Sequence, residues 1–356
     1  MRRGFSFTLP PVMRRILVFL FGVIFLAALA VAWLLFGSGT GFRGKKATLY
    51  ISAKAASREA VLDSLRKNEI VSSPRFFDWM AGRLGYWNRV RPGKYEFANG
   101  TSLYQMIRTL RNGAQTPVKL TINKLRTRGD LAKIFGGKFE GDSATMIAFL
   151  NNADSMRSFK TEPEQALTLL LPDTYTYYWN NGPREVLRKF ADVTAGFWTS
   201  ERVAKAKALG LSPQEAYTVA SIVEEETNAQ AEKGNVASVY LNRLAKGMPL
   251  QADPTIKFAL NDFTLRRIYE KHLFVASPYN TYRNKGLPPG PICTPSRRTI
   301  DAVLNAPHTT YLFFVASPAF DGTHVFSSTY EEHLQKAKAY QEELNRQEAI
   351  KNGKSS

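Results

Sequence analysis

The sequence predicts an α+β protein: a single N-terminal transmembrane helix, a small α+β module and a larger α+β domain. Three observations carry this. Residues 16–36 form an unbroken apolar run without charge or proline. The stretch after it alternates short strand-like runs with capped helices. The remaining two thirds is longer, less regular and punctuated by proline and glycine.

The 356 residues leave room for two or more domains. At 44% apolar and 22% charged the composition is that of a globular chain. Lys plus Arg number 48 against 30 Asp plus Glu, a net charge of +18 that suits an anionic polymer or surface. Basic residues are spread along the chain without a helix-turn-helix or RNP pattern, so no nucleic-acid partner is expected. One cysteine, Cys293, excludes an intramolecular disulfide and a multi-cysteine zinc site. It sits in a proline-rich stretch and is expected to be packed.

At about 1.5 Å per residue, 16–36 spans a bilayer core of roughly 30 Å. Arg2, Arg3, Arg14 and Arg15 precede it in a basic tail, 1–15, expected to stay cytoplasmic. Trp33-Leu34-Leu35-Phe36 follows the small residues Ala30 and Ala32, a poor place for signal cleavage, so a retained single-pass anchor in the cytoplasmic membrane is expected. Everything after it then lies outside the cytoplasm. Residues 37–46 (GSGTGFRGKK) read as a flexible linker.

Within 47–120, Ala47–Ala53 reads as a strand. Ser57 caps a helix over 58–67, and a second helix runs from Ser73 to Leu84. Val90–Phe97 is a turn and strand. Ser102 caps a helix over 103–112 that Gly113 ends, and Val118–Ile122 returns as a strand. The order of strand, capped helix and strand resembles a LysM-type glycan-binding unit; a spacer is the alternative. From 121 to 346 comes the larger domain, with helices expected near 144–151 and 183–194. Leu167–Tyr177 reads as a buried segment opening onto a surface loop. The charged stretch from Glu331 reads as a helix that frays into a polar tail, 347–356.

Ser212-Pro213-Gln214-Glu215 is a strong helix start with a capping box. At 100° per residue, Ala216, Val219, Ala220 and Val223 share one face. Glu225 falls with Thr218 and Ser221 on the opposite side and is expected in solvent. Glu226 lies beside Ile222 and Val223, where a carboxylate needs a partner or an elevated pKa. Glu224 falls at the margin between faces, where partial desolvation would keep a general acid protonated. Downstream, Asn242 and Arg243 end a helix that Gly247 stops. Gln251–Thr255 reads as a polar loop, and 277–295 as a stiff, proline-rich wall with Tyr279, Asn280, Thr281 and Tyr282. These amides, hydroxyls and rings are the types that line a sugar groove. The four histidines lack metal-ligand spacing, and no serine-hydrolase, Walker or dinucleotide motif is complete, so no metal and no cofactor are expected.

Ala220-Ser-Ile-Val-Glu-Glu-Glu-Thr227 resembles the signature of the YceG-like family of endolytic murein transglycosylases. So do Val239–Leu244, Leu250–Thr255, Tyr279–Tyr282, Gly286–Ile292, Tyr311–Val315 and His324–Ser327. The sequence departs from the family pattern at Asn123-Lys-Leu125 and at Leu167-Thr168. The resemblance implies a lytic transglycosylase that cleaves the bond between N-acetylmuramic acid and N-acetylglucosamine without water, leaving 1,6-anhydro ends. It implies Glu224 as the catalytic acid. Ser221, Glu226, Asn242, Gln251, Asp253, Tyr279, Asn280, Thr281 and Tyr282 are expected as binding or supporting groups, with Glu226 and Asp253 as alternatives for a second carboxylate. Peptidoglycan glycan strands, the cytoplasmic membrane and cell-wall synthesis or division proteins are the implied partners, with a role in ending strand elongation. The alternative is a non-catalytic, membrane-anchored binder of peptidoglycan or of a division protein.

Overall fold

The N-terminal apolar run folds as one helix, α1 (Pro11–Phe36), in a computed structural model that describes residues 10–353. Arg2, Arg3 and residues 354–356 lie outside the described residues. The mean hydropathy over Pro11–Trp33 is 2.8 and none of it is buried, so α1 is long and apolar enough to cross a membrane. The chain divides into two compact units, one reaching Val118 and taking in Tyr178–Asn180, the other formed by Lys119–Tyr177 and the residues from Asn181 onward.

The first unit pairs β1 (Lys46–Ile51) antiparallel with β2 (Gly93–Ala98), with α2 (Arg58–Lys67) and α3 (Pro74–Arg83) between them and α4 (Leu103–Asn112) after them. The hydroxyls of Ser57, Ser73 and Ser102 accept from the third backbone N–H of their helices, as the sequence predicts. Gly113 ends α4 in the left-handed conformation, φ 67°. Alternate strand residues Leu49, Ile51, Tyr95 and Phe97 meet Phe77, Met106 and Ile107 in one buried core. Each such side chain contributes roughly 1.5–3 kcal/mol.

The expected flexible linker is a correction. Gly39 donates to the Thr101 carbonyl at 3.0 Å, Ser72 to the Gly39 carbonyl at 2.9 Å and Gly41 to the Ile70 carbonyl at 3.2 Å. The glycines serve close approach: a Cβ on Gly39 would lie 2.5 Å from Leu103 Cγ and 2.6 Å from its backbone nitrogen. Glycine therefore lets this segment bind the module rather than wander beside it.

In the second unit β3 (Val118–Ile122) pairs with β4 (Asp173–Tyr177), not with the strands of the first unit. Around this pair stand α5 (Arg128–Lys138), α6 (Ser143–Asn151), the short α7 (Ala153–Arg157) and α8 (Pro183–Phe197), whose Phe190 packs edge-on to Tyr175 and Tyr177. After α9 (Ser200–Ala208) comes α10 (Pro213–Glu226), and then α11 (Lys233–Ala245), α12 (Asp253–Leu260) and α13 (Arg297–Leu304). A hairpin of β5 (Phe313–Ala316) and β6 (His324–Ser327) precedes α14 (Tyr330–Gly353). The expected polar tail is thus helical as far as Gly353.

Candidate active site

Helix α10 starts as its sequence dictates: Ser212 and Glu215 form the capping box and Pro213 opens the first turn. Its burial is not one-sided. Every residue from Ala216 to Val223 is buried, because α9, α11, α12 and α13 all pack on it. Thr218 and Ser221 tolerate this by donating to the Gln214 and Thr218 carbonyls, 2.9 and 2.7 Å away. No solvent face exists for Glu225 to share. It instead accepts from Lys124 at 2.9 Å and Arg126 at 3.1 Å, and correcting the expected solvated glutamate, it is an ion-paired side chain.

Glu224 points to another set of partners. Its Oε2 meets Lys233 Nζ at 3.0 Å and the Ser296 hydroxyl at 3.2 Å, and accepts from the Thr299 hydroxyl. Lys233 is itself buried and also donates to Thr299 at 2.7 Å. Burial pushes the Glu224 carboxyl up, but the hydrogen bonds from Thr299 and Lys233 and the lysine charge outweigh it, and the group is held below the usual carboxylate range. That is the reverse of the protonated acid expected at this position. The cause is Lys233, nine residues on and on the next helix.

Glu226 ends α10 and lines a cavity of about 290 Å³ with Tyr240, Gln251, Asp253, Tyr282 and His324. The Tyr240 phenol donates to its Oε1. Burial pushes the carboxyl up to about 7. The Tyr240 bond offsets this in part, and the Asp253 charge adds to it. Asp253 accepts from the Tyr282 phenol at 2.6 Å. Burial drives both phenols upward, so each keeps its proton and donates. Asp253 does not lie in a loop, as expected, but opens α12 with Pro254 behind it. Gln251 ahead of it takes a left-handed φ of 52°. Arg243 is buried in the wall, its Nε and Nη1 donating to the Leu312 and Leu250 carbonyls, both at 2.7 Å.

The cavity therefore brings together four of the residues singled out from sequence: Glu226, Gln251, Asp253 and Tyr282. The others serve the wall. Ser221 is fully buried and accepts from the Ile292 amide at 3.0 Å. Asn280, also buried, donates to the Leu273 and Val275 carbonyls, both at 2.9 Å. Thr281 accepts from the Ala252 amide and so holds the approach to Asp253. Asn242 donates to the Thr309 and Tyr311 carbonyls, fixing the segment before β5. Tyr279 packs against Phe258 with ring centroids 4.6 Å apart. Cys293 is buried, as its setting predicts, and donates to the Ser221 carbonyl at 3.4 Å. Tyr240 and His324 are cavity residues that sequence reasoning did not single out. Tyr240 lies one helical turn before Arg243 on α11, a spacing that puts both on one face.

Comparison with known proteins agrees with this architecture. A family model described as the YceG-like family matches residues 50–339. An endolytic murein transglycosylase of Bacillus subtilis is 28% identical over 314 residues, covering 84% of this chain and 86% of that one. An endolytic murein transglycosylase of Streptococcus pneumoniae is 33% identical over 131 residues, 36% of this chain and 24% of its own length. The crystal structure of a YceG-like protein from Listeria monocytogenes superposes with a TM-score of 0.55 at 27% identity, covering 82% of this chain and 98% of that one. With a matching model over most of its length, a relative aligned over 84% of it and a solved structure of the same fold, the chain belongs to the YceG-like family.

Proposed function

We propose that this protein is a membrane-anchored endolytic peptidoglycan lytic transglycosylase in which Glu226 is the general acid. Its family and the names of its relatives support the reaction class. The observation that carries the assignment is the cavity itself: a carboxyl pushed up to about 7 beside a second carboxylate, Asp253. A general acid works best with a pKa near the operating pH. Glu224, salt-bridged to Lys233, is suited to holding α10 to α11 and α13.

In this reading Glu226 gives its proton to the glycosidic oxygen as the bond from C1 of the muramic residue breaks. The electron pair of that bond leaves with the oxygen. The C6 hydroxyl of the same sugar attacks C1, and Asp253 takes its proton. The product is a 1,6-anhydro ring, and no water is consumed. An internal nucleophile replaces the water that ordinary glycosidases activate. Tyr240 supports the step by occupying Oε1 of Glu226, so that the transferable proton resides on Oε2.

The anchor reading rests on α1, with residues 47–356 outside the cytoplasmic membrane and the first unit serving as a LysM-like glycan-binding module. The role that fits is the ending of nascent strand elongation, beside cell-wall synthesis or division proteins. The test is to incubate the purified chain with glycan strands and weigh the products. Internal fragments with ends lighter by one water support the proposal, and their absence from Glu226→Gln assigns the acid. Products with reducing ends alone would replace it with a hydrolase, and no products from the wild type would favour a binder.

A further inference from the structure

We propose that His324 is a substrate-positioning residue whose ring nitrogen Nε2 accepts a hydrogen bond from a donor of the bound glycan, a hydroxyl or an acetamido N–H, in an orientation held by the buried Glu232. The inference deepens the cavity reading above and rests on it.

Glu232 is 7% exposed. Its Oε1 lies 2.9 Å from Nδ1 of His324, and its Oε2 accepts from the His324 backbone amide at 2.8 Å. The Thr227 hydroxyl donates to the same Oε1. Thr227 directly follows Glu226, so one carboxylate ties the residue after Glu226 to the first residue of β6. A carboxylate only accepts, which requires the imidazole hydrogen on Nδ1. With that hydrogen on Nδ1, an uncharged imidazole presents its lone pair at Nε2. Phe314 packs edge-on to the ring, centroids 5.2 Å apart and planes at 86°, and this fixes the imidazole plane.

Two facts separate this from simple hairpin packing. The β5–β6 register is already set by backbone pairing from Phe313 with Ser327 to Ala316 with His324. Burying a carboxylate to grip a side chain in addition is costly unless that orientation matters. His324 also lines the same cavity as Glu226 and Asp253, and among the described residues no hydrogen bond reaches its Nε2. A ring whose tautomer is set from behind, and whose acceptor borders the cavity, is built to meet a donor there. The glycan offers such donors on every sugar.

The experiment measures kcat and KM on glycan strands for the full chain, with thermal unfolding in parallel. His324→Ala is expected to lower kcat/KM of the folded fraction about 10-fold, the scale of one hydrogen bond, and to lower the unfolding midpoint modestly because the buried Glu232 loses one partner. His324→Gln should recover most of the loss, because its amide oxygen reaches the place of Nε2. Glu232→Gln should lose as much as His324→Ala while keeping the histidine, because its amide can donate to Nδ1 and turn Nε2 into a donor. The double variant His324→Ala with Glu232→Gln should then cost no more than either alone. Wild-type kcat/KM in His324→Ala, with Glu226→Gln inactive, would overturn this inference and leave the acid assignment standing. Equal loss in His324→Ala and His324→Gln, or a loss that disappears when rates are referred to the folded fraction, would also overturn it. An active Glu226→Gln would sink the cavity reading and this inference together.

Discussion

The phenol of Tyr240 on α11 donates to Oε1 of Glu226 at the end of α10, and so joins the two helices at the one carboxyl of the three neighbouring glutamates whose pKa is raised. The bond favours the ionised carboxylate, against the burial that disfavours it. Tyr240→Phe should therefore raise the Glu226 pKa and move the alkaline limb of the activity profile to higher pH. A profile unchanged in Tyr240→Phe would separate Glu226 from the titrating group.

Glu226→Gln should cut turnover by about 10²–10⁴, the usual scale for general acid–base catalysis, and leave the fold intact. Glu224→Gln should behave in the opposite way. It strands the buried Lys233 charge, so it should lower stability by about 1–3 kcal/mol, with a smaller effect on turnover of the folded fraction. Denaturant titrations beside single-turnover rates distinguish the two.

The stability of the chain should also report on Glu226. Its carboxyl is raised from 4.5 to about 7, so between those values the folded chain holds this proton more tightly than the unfolded one. The stability it contributes is present below about pH 4.5 and lost as pH rises through 7. Glu224 and Glu225, held below the ordinary value, act in the other direction: their contribution is present above about pH 4.5 and lost as pH falls. Unfolding midpoints measured from pH 4.5 to 7.5 should decline less in Glu226→Gln than in the wild type.

Asp253→Asn keeps the bond from Tyr282 but removes the acceptor for the C6 proton. Turnover should fall, and water should compete better with the internal hydroxyl, raising the share of reducing ends in the product masses. An unchanged ratio of anhydro to reducing ends would show that Asp253 takes no part in the attack.

The pinned linker can be tested without any substrate. Gly39→Val places branched carbon atoms against Leu103, so the segment must lift from the module. Limited proteolysis between residues 37 and 46 should be slow in the wild type and several-fold faster in the variant.

The sequence made local structure readable where the cause is local. Ser57, Ser102 and Ser212 cap helices because a hydroxyl three residues before a backbone N–H needs nothing else. The same reasoning did not reach the partners of Glu224 and Glu225, which come from elsewhere: Lys233 and Thr299 for one, Lys124 and Arg126 for the other. Thr218 and Ser221 misled in a different way. They look like a solvent face, yet their hydroxyls are satisfied within the helix, which lets α10 be buried all round. The apolar setting of Glu226 was legible from Ile222 and Val223. That Asp253 and Tyr282 share its cavity was expected only through the family resemblance, since no spacing in a chain relates residues 27 and 56 positions away.

The last turn of α10 holds three acidic side chains and no basic one. A helix carries partial negative charge at its C-terminal end, so all three stand where an anion is least welcome. Two are relieved by cations brought in from other segments, and the third is given a phenol and a neighbouring carboxylate instead. The unfavourable energy of the arrangement is thereby concentrated on one side chain. Local frustration of this kind, in a helix otherwise made of core, keeps a proton on one carboxyl at a pH where an ordinary glutamate has already lost its own.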